Sequence, residues 1–133
     1  MTTMNYRDGD TLHTEDHNIG EVWLTHTGIT IDTADRTIKF RAGYTMEGGN
    51  FHGLMWTLET SDDHAPKPFP SKMVVHCEDG DTETDGIETL SLVERGVNMR
   101  TTDNVMMAYE AEQKPHLVWT QTEPLDMASP AAT

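Results

Sequence analysis

The chain has 133 residues, a mass of 14.9 kDa and a formal net charge of −14, from 23 acidic and 9 basic side chains. That length supports one domain with a single core. The charge argues against nucleic acid, whose binding rests on Lys and Arg neutralising phosphates, and against anionic lipid surfaces.

No run reaches the roughly 18 apolar residues of a membrane-spanning helix. The first ten residues have neither the basic lead nor the apolar stretch of a signal peptide. The single cysteine, Cys77, excludes an internal disulfide. These features together predict a cytoplasmic or assembly-borne protein, with the acidic excess suited to a high-salt habitat or a basic partner.

Residues 1–19 are polar and predict an extended N-terminal arm. Glu21–Thr27 reads as a strand with Val22 and Leu24 on one parity, and Thr27-Gly28 as a bulge or bend before Ile29 and Ile31. A four-residue loop, Thr33 to Arg36, sets Ile29 opposite Phe40 and Ile31 opposite Ile38.

The hairpin from Thr37 to Thr60 has the clearest pattern. Ile38, Phe40, Ala42, Tyr44 and Met46 alternate with polar residues, and Leu54, Trp56 and Leu58 share a parity on the return. A three-residue loop, Glu47 to Gly49, keeps all of them on one face, pairing Tyr44 with His52, Ala42 with Leu54, Phe40 with Trp56 and Ile38 with Leu58. That register places Gly43 opposite Gly53 on the outer face, a bare strip of backbone another chain could approach.

Prolines 66, 68 and 70 around Lys67 and Phe69 predict an irregular loop over 61–71. Lys72–Glu78 reads as a strand and Glu78–Gly86 as an acidic loop. Ile87–Val93 and Val97–Thr101 form a hairpin closed at Glu94-Arg95-Gly96. A final hairpin turns at Gln113-Lys114-Pro115, with Tyr109 opposite Trp119 and Ala111 opposite Leu117. Residues 123–133 read as a C-terminal tail. The expectation is therefore all-β: an antiparallel sandwich or closed barrel of about eight short strands over 20–122, with no segment repeated at a fixed period.

Chemistry-bearing motifs are sparse. Asp81, Glu83 and Asp85 resemble the start of a calcium loop, but the twelfth position from Asp81 is Leu92 rather than a bidentate Glu, so no metal is expected there. Cys77 shares parity with Met73 and Val75 and reads as a buried hydrophobe, with His76 diverging from it. No nucleophile elbow, phosphate loop or dinucleotide fingerprint occurs, and no cofactor is expected.

Two functional readings follow. The first is a non-catalytic interaction module that self-associates or joins a larger assembly, such as a virion or secretion-type particle. Its contacts would be Gly43, Gly53, Pro66, Pro68, Phe69 and Pro70, together with the arm and the tail. The second is a calycin-like barrel that binds or isomerises a small apolar molecule. Tyr44, His52, Trp56, Tyr109 and Trp119 would line its interior, with His52, Tyr44 and Tyr109 the candidates for acid–base chemistry.

Overall fold

The computed structural model describes residues 1–8, 10–48, 50–68, 72–78, 80–113, 116–122 and 125–126; at 45–47, 50–52, 113 and 125–126 it describes the backbone only. Among these, thirteen strands and no helix are formed: β1 Thr2–Asp8, β2 Thr11–His17, β3 Ile19–Thr25, β4 Gly28–Thr33, β5 Arg36–Glu47, β6 Asn50–Asp63, β7 Met73–Cys77, β8 Gly80–Thr84, β9 Ile87–Val93, β10 Gly96–Thr101, β11 Val105–Gln113, β12 Leu117–Gln121 and β13 Leu125–Asp126. No helix among the described residues is long and apolar enough to cross a membrane.

The strands form two sheets packed as a sandwich and not closed into a barrel. One runs β12-β11-β10-β9-β1-β2, with β13 beside β11; the other runs β6-β5-β4-β3-β7-β8. Each inner face is built from the alternate apolar side chains of its strands, as the pleat requires. Met4, Val22, Ile31, Val75, Leu90, Val97, Met99 and Trp119 are essentially fully buried between the sheets.

The two sheets are built the same way, and this is the organising fact of the fold. Strands β1–β6 and β7–β12 are two copies of one unit: a hairpin followed by a four-stranded meander. In each copy the hairpin leaves its own meander and joins the other. Thus β1 runs parallel to β9, with Met4 beside Leu90, and β7 runs parallel to β3, with Val75 beside Val22.

Equivalent positions match closely. Gly28 corresponds to Gly96, Phe40 to Tyr109, Ala42 to Ala111, Leu54 to Leu117 and Trp56 to Trp119. Both glycines admit no side chain: a Cβ on Gly28 would lie 2.1 Å from the Phe40 carbonyl oxygen, and one on Gly96 would lie 2.0 Å from that of Tyr109. The tetrapeptide Asp-Gly-Asp-Thr, at 8–11 and 79–82, marks the first hairpin of each copy.

Several sequence expectations are corrected. Among the described residues there are thirteen strands rather than about eight, and the sheets are mixed, with two parallel pairings. The expected arm is the β1–β2 hairpin, anchored by Met4 and Tyr6 in the core. The bulge or bend expected at Thr27-Gly28 is a tight turn, with Thr25 paired to Gly28, that separates β3 from β4. The acidic loop contains strand β8, paired to β7.

In the β5–β6 hairpin the ladder closes at Glu47 and Asn50 around a two-residue turn, with Gly48 left-handed at φ 59°. A bulge between Thr45 and Met46 restores the apolar parity that the two-residue turn would otherwise lose. The pairs are therefore Ala42 with Trp56, Tyr44 with Leu54 and Phe40 with Leu58. The last hairpin is likewise shifted by two residues, setting Ala111 opposite Trp119 and Tyr109 opposite Gln121. The predicted pairs Ile29–Phe40 and Ile31–Ile38, and the turn after Val93, are as expected. Most of the predicted tail lies outside the described residues; within it, β13 pairs with Val105 and Met106.

Candidate functional site

The copies interlock at their turns. The Trp56 indole donates to the Val93 carbonyl (2.9 Å), and the equivalent Trp119 donates to Thr25 (2.7 Å). Beside them the Leu54 N–H donates to the Glu94 carbonyl (2.8 Å), and the Leu117 N–H to that of His26 (3.2 Å). Edge strands β6 and β12 are thereby each pinned to a turn of the opposite sheet, which satisfies backbone groups an open edge would leave unpaired.

At the Trp56 end these contacts frame a cleft of about 570 Å³. Strand β6 contributes Leu54, Met55 and Trp56, the first hairpin contributes Asn5, Tyr6, Arg7 and Leu12, and β9 with its turn contributes Ser91 to Glu94. Among the described residues, Met55 (64% exposed) and Leu12 (58%) are the most exposed large apolar side chains after Met1. Asn5 Nδ2 donates to Ser91 Oγ at 3.3 Å. At the equivalent positions of the other copy stand His76 and Trp23, whose rings stack with centroids 3.7 Å apart. Two small polar side chains leave a hollow where two rings would occupy the space.

Tyr6 supplies one wall. Its hydroxyl donates to Glu15 (2.8 Å), its ring stacks on His13 and it meets Phe40 edge-on. Burial, followed by the hydrogen bond and charge of Glu15, pushes its phenol up to about 12. Burial would raise Glu15, but hydrogen bonds from Tyr6 and His17 hold it below the ordinary carboxylate value. Tyr6 is therefore a fixed neutral donor.

Of the five residues expected to line a barrel interior, the fold brings two together: Trp56 and Trp119 stack with centroids 6.0 Å apart. Tyr109 and Trp119 are core residues at 1% exposure, so side chains fill the interior. Burial raises the Tyr109 phenol, with the Thr82 hydroxyl opposing. Tyr44 stands exposed on the overhanging hairpin. His52 lies on β6, and its side chain is outside the described residues.

Gly43 faces Met55 rather than Gly53; Gly53 pairs with Thr45 and packs on Glu94. Pro66 and Pro68 are exposed on a loop tied down by the His64 and Lys67 N–H groups, which donate to Asp35 and Ala34. Phe69 and Pro70 lie outside the described residues. Asp81 and Glu83 are held extended on β8, Asp81 bonding His76 Nδ1 (2.9 Å), while Asp85 faces Lys72 at 3.7 Å.

Sequence reading missed the cleft residues Asn5, Arg7, Leu12, Met55, Ser91 and Glu94. The available signal was Leu12 and Met55, lone apolar side chains on polar faces. No known protein family, curated protein or solved structure matches the chain.

Proposed function

We propose that the protein is a non-catalytic interaction module that receives an apolar anchor from a basic protein partner in its cleft, as one component of a larger assembly. The observation that carries this is the placement of Leu12 and Met55 on the rim of the Trp56 cleft, in a chain of net charge −14. Exposed apolar groups around a hollow favour insertion of a partner side chain. The net negative charge of the chain as a whole steers a cationic partner and opposes pairing with a second copy of the same charge.

The test is titration with a short amphipathic Lys/Leu peptide, read by Trp fluorescence. Saturable one-to-one binding that weakens about tenfold in Met55→Asp and falls with salt supports the reading. Binding indifferent to Met55→Asp would be generic polyanion attraction and would overturn it. Light scattering at low and high salt tests self-association directly. A second reading rests on the cleft volume, which lies in the range of small-molecule sites, about 300–1,000 Å³. Binding of an uncharged apolar dye in place of the peptide would favour that reading.

A further inference from the structure

The opposite end of the sandwich carries different chemistry on the same backbone plan. Its three turns present His26 (β3–β4), Glu78 (β7–β8) and His116 (β11–β12). One ligand atom from each lies within 4.8 Å of the other two. The equivalent positions at the cleft end are Glu94, Arg7 and Gly53, which cannot form such a set.

We propose that His26, Glu78 and His116 bind a divalent transition-metal ion of the imidazole-preferring class, with Zn²⁺ as the reference case. Two imidazoles and one carboxylate, with water completing the shell, are a donor set such ions accept. The donors are held ready. His116 Nδ1 faces the Leu117 carbonyl at 3.2 Å, and donating to it leaves Nε2 as the lone-pair nitrogen. His26 Nε2 lies against the Glu78 carboxylate.

Hydrogen bonds tie together the segments that carry the donors. Leu117 N–H bonds the carbonyl of His26 itself, Trp119 bonds Thr25, and Cys77 Sγ contacts the Trp119 carbonyl at 3.5 Å. Segments already joined in this way cost less further ordering on binding. The rings of His26 and His116 stack at 3.7 Å. Both are exposed, so they can rotate to aim their lone pairs at one ion. His76, by contrast, has both ring nitrogens committed, to Glu21 and Asp81 at 2.9 Å each.

The experiment is calorimetric titration of the full chain with Zn²⁺ and, separately, Mg²⁺, supported by Co²⁺ absorption. Expected are a single Zn²⁺ equivalent, a tetrahedral Co²⁺ spectrum and a Tm that rises with Zn²⁺. His26→Ala and His116→Ala should each weaken Zn²⁺ about tenfold or more, by the scale of lost metal-site interactions. His76→Gln should leave the affinity within twofold. His116→Gln, checked by circular dichroism, guards against a folding artefact. Zn²⁺ bound no more tightly than Mg²⁺, or equally well by His116→Ala, would overturn the proposal.

Discussion

Trp56 and Trp119 stack 6.0 Å apart across the sandwich, each donating its indole N–H to a carbonyl at the end of a central strand in the opposite sheet. They are the same residue of the two copies, so the molecule is locked twice by one device. Trp119→Phe removes the 2.7 Å bond, strands the Thr25 carbonyl and leaves a void. About 2–4 kcal/mol should be lost. Trp56 is only partly buried, so Trp56→Phe should cost about half as much. Urea unfolding of both variants checks the ranking.

Gly28 and Gly96 lie against the Phe40 and Tyr109 carbonyls too closely for any Cβ. Either Gly→Ala change must push two strands apart at a sandwich corner, and a loss of about 2–4 kcal/mol is expected for each. Equal losses in the two variants would show that the copies carry equal strain. Thermal unfolding monitored by circular dichroism measures this.

Asp32 joins the proline loop to β4, bonding Lys67 at 2.7 Å and His64 at 3.2 Å. Burial opposes ionisation, but Lys67, Thr37 and His64 hold the carboxyl below its ordinary value. A depressed acid contributes stability that is present above its unfolded pKa, about 3.9, and is lost as pH falls through the folded value. His64 is raised, chiefly by its bond to the Ala65 carbonyl and then by Asp32. Its contribution is present below about pH 6.5 and is lost as pH rises through the folded value. Both operate together between about pH 4 and 6.5. In a Tm–pH profile, Asp32→Asn should flatten the acid limb. A residual alkaline limb should persist, because the Ala65 bond remains.

The Tyr109 hydroxyl is buried without a well-formed hydrogen bond, because the nearby Thr82 hydroxyl donates to Gln121 at 3.2 Å. Tyr109→Phe removes a poorly satisfied polar group while keeping the ring. The change in stability should be within about 1 kcal/mol, and stabilisation is allowed. A catalytic role for this phenol would require a larger effect on function than on folding, which a binding assay beside the unfolding curve would reveal.

Asn5→His together with Ser91→Trp transplants the His76–Trp23 stack into the cleft. The double variant should fold, since the other copy already accommodates those rings, and peptide binding should fall by tenfold or more. Unchanged binding would place the anchor elsewhere. The measurement is the same fluorescence titration.

Alternation along single strands was legible in the sequence: the core parity of Ile29, Ile31, Ile38, Phe40, Ala42, Leu54 and Trp56 is as the period-2 pattern implies. Register was less so, because the bulge between Thr45 and Met46 adds a residue that no polar–apolar pattern announces. The duplication was obscured by drift. Equivalent residues are 71 apart at Met4 and Val75, 68 at Gly28 and Gly96, and 63 at Trp56 and Trp119, so no fixed period exists to detect. The longer first copy accounts for the last step: nine residues separate Tyr44 from Leu54, where three separate Gln113 from Leu117. The first hairpin reads as an arm because β2 is polar apart from the exposed Leu12, and Met4 and Tyr6 are its apolar side chains in the core.

The exchange of hairpins also dictates the order of events during synthesis. Thr3 must wait for Thr89, and Glu21 for Val74, before either parallel pairing can form. Such distant closures are slow relative to local hairpins. A nascent chain that has emerged only through β6 holds a meander lacking its flanking hairpin and a hairpin lacking its host. Two such chains meeting on neighbouring ribosomes could satisfy one another as readily as each awaits its own second half.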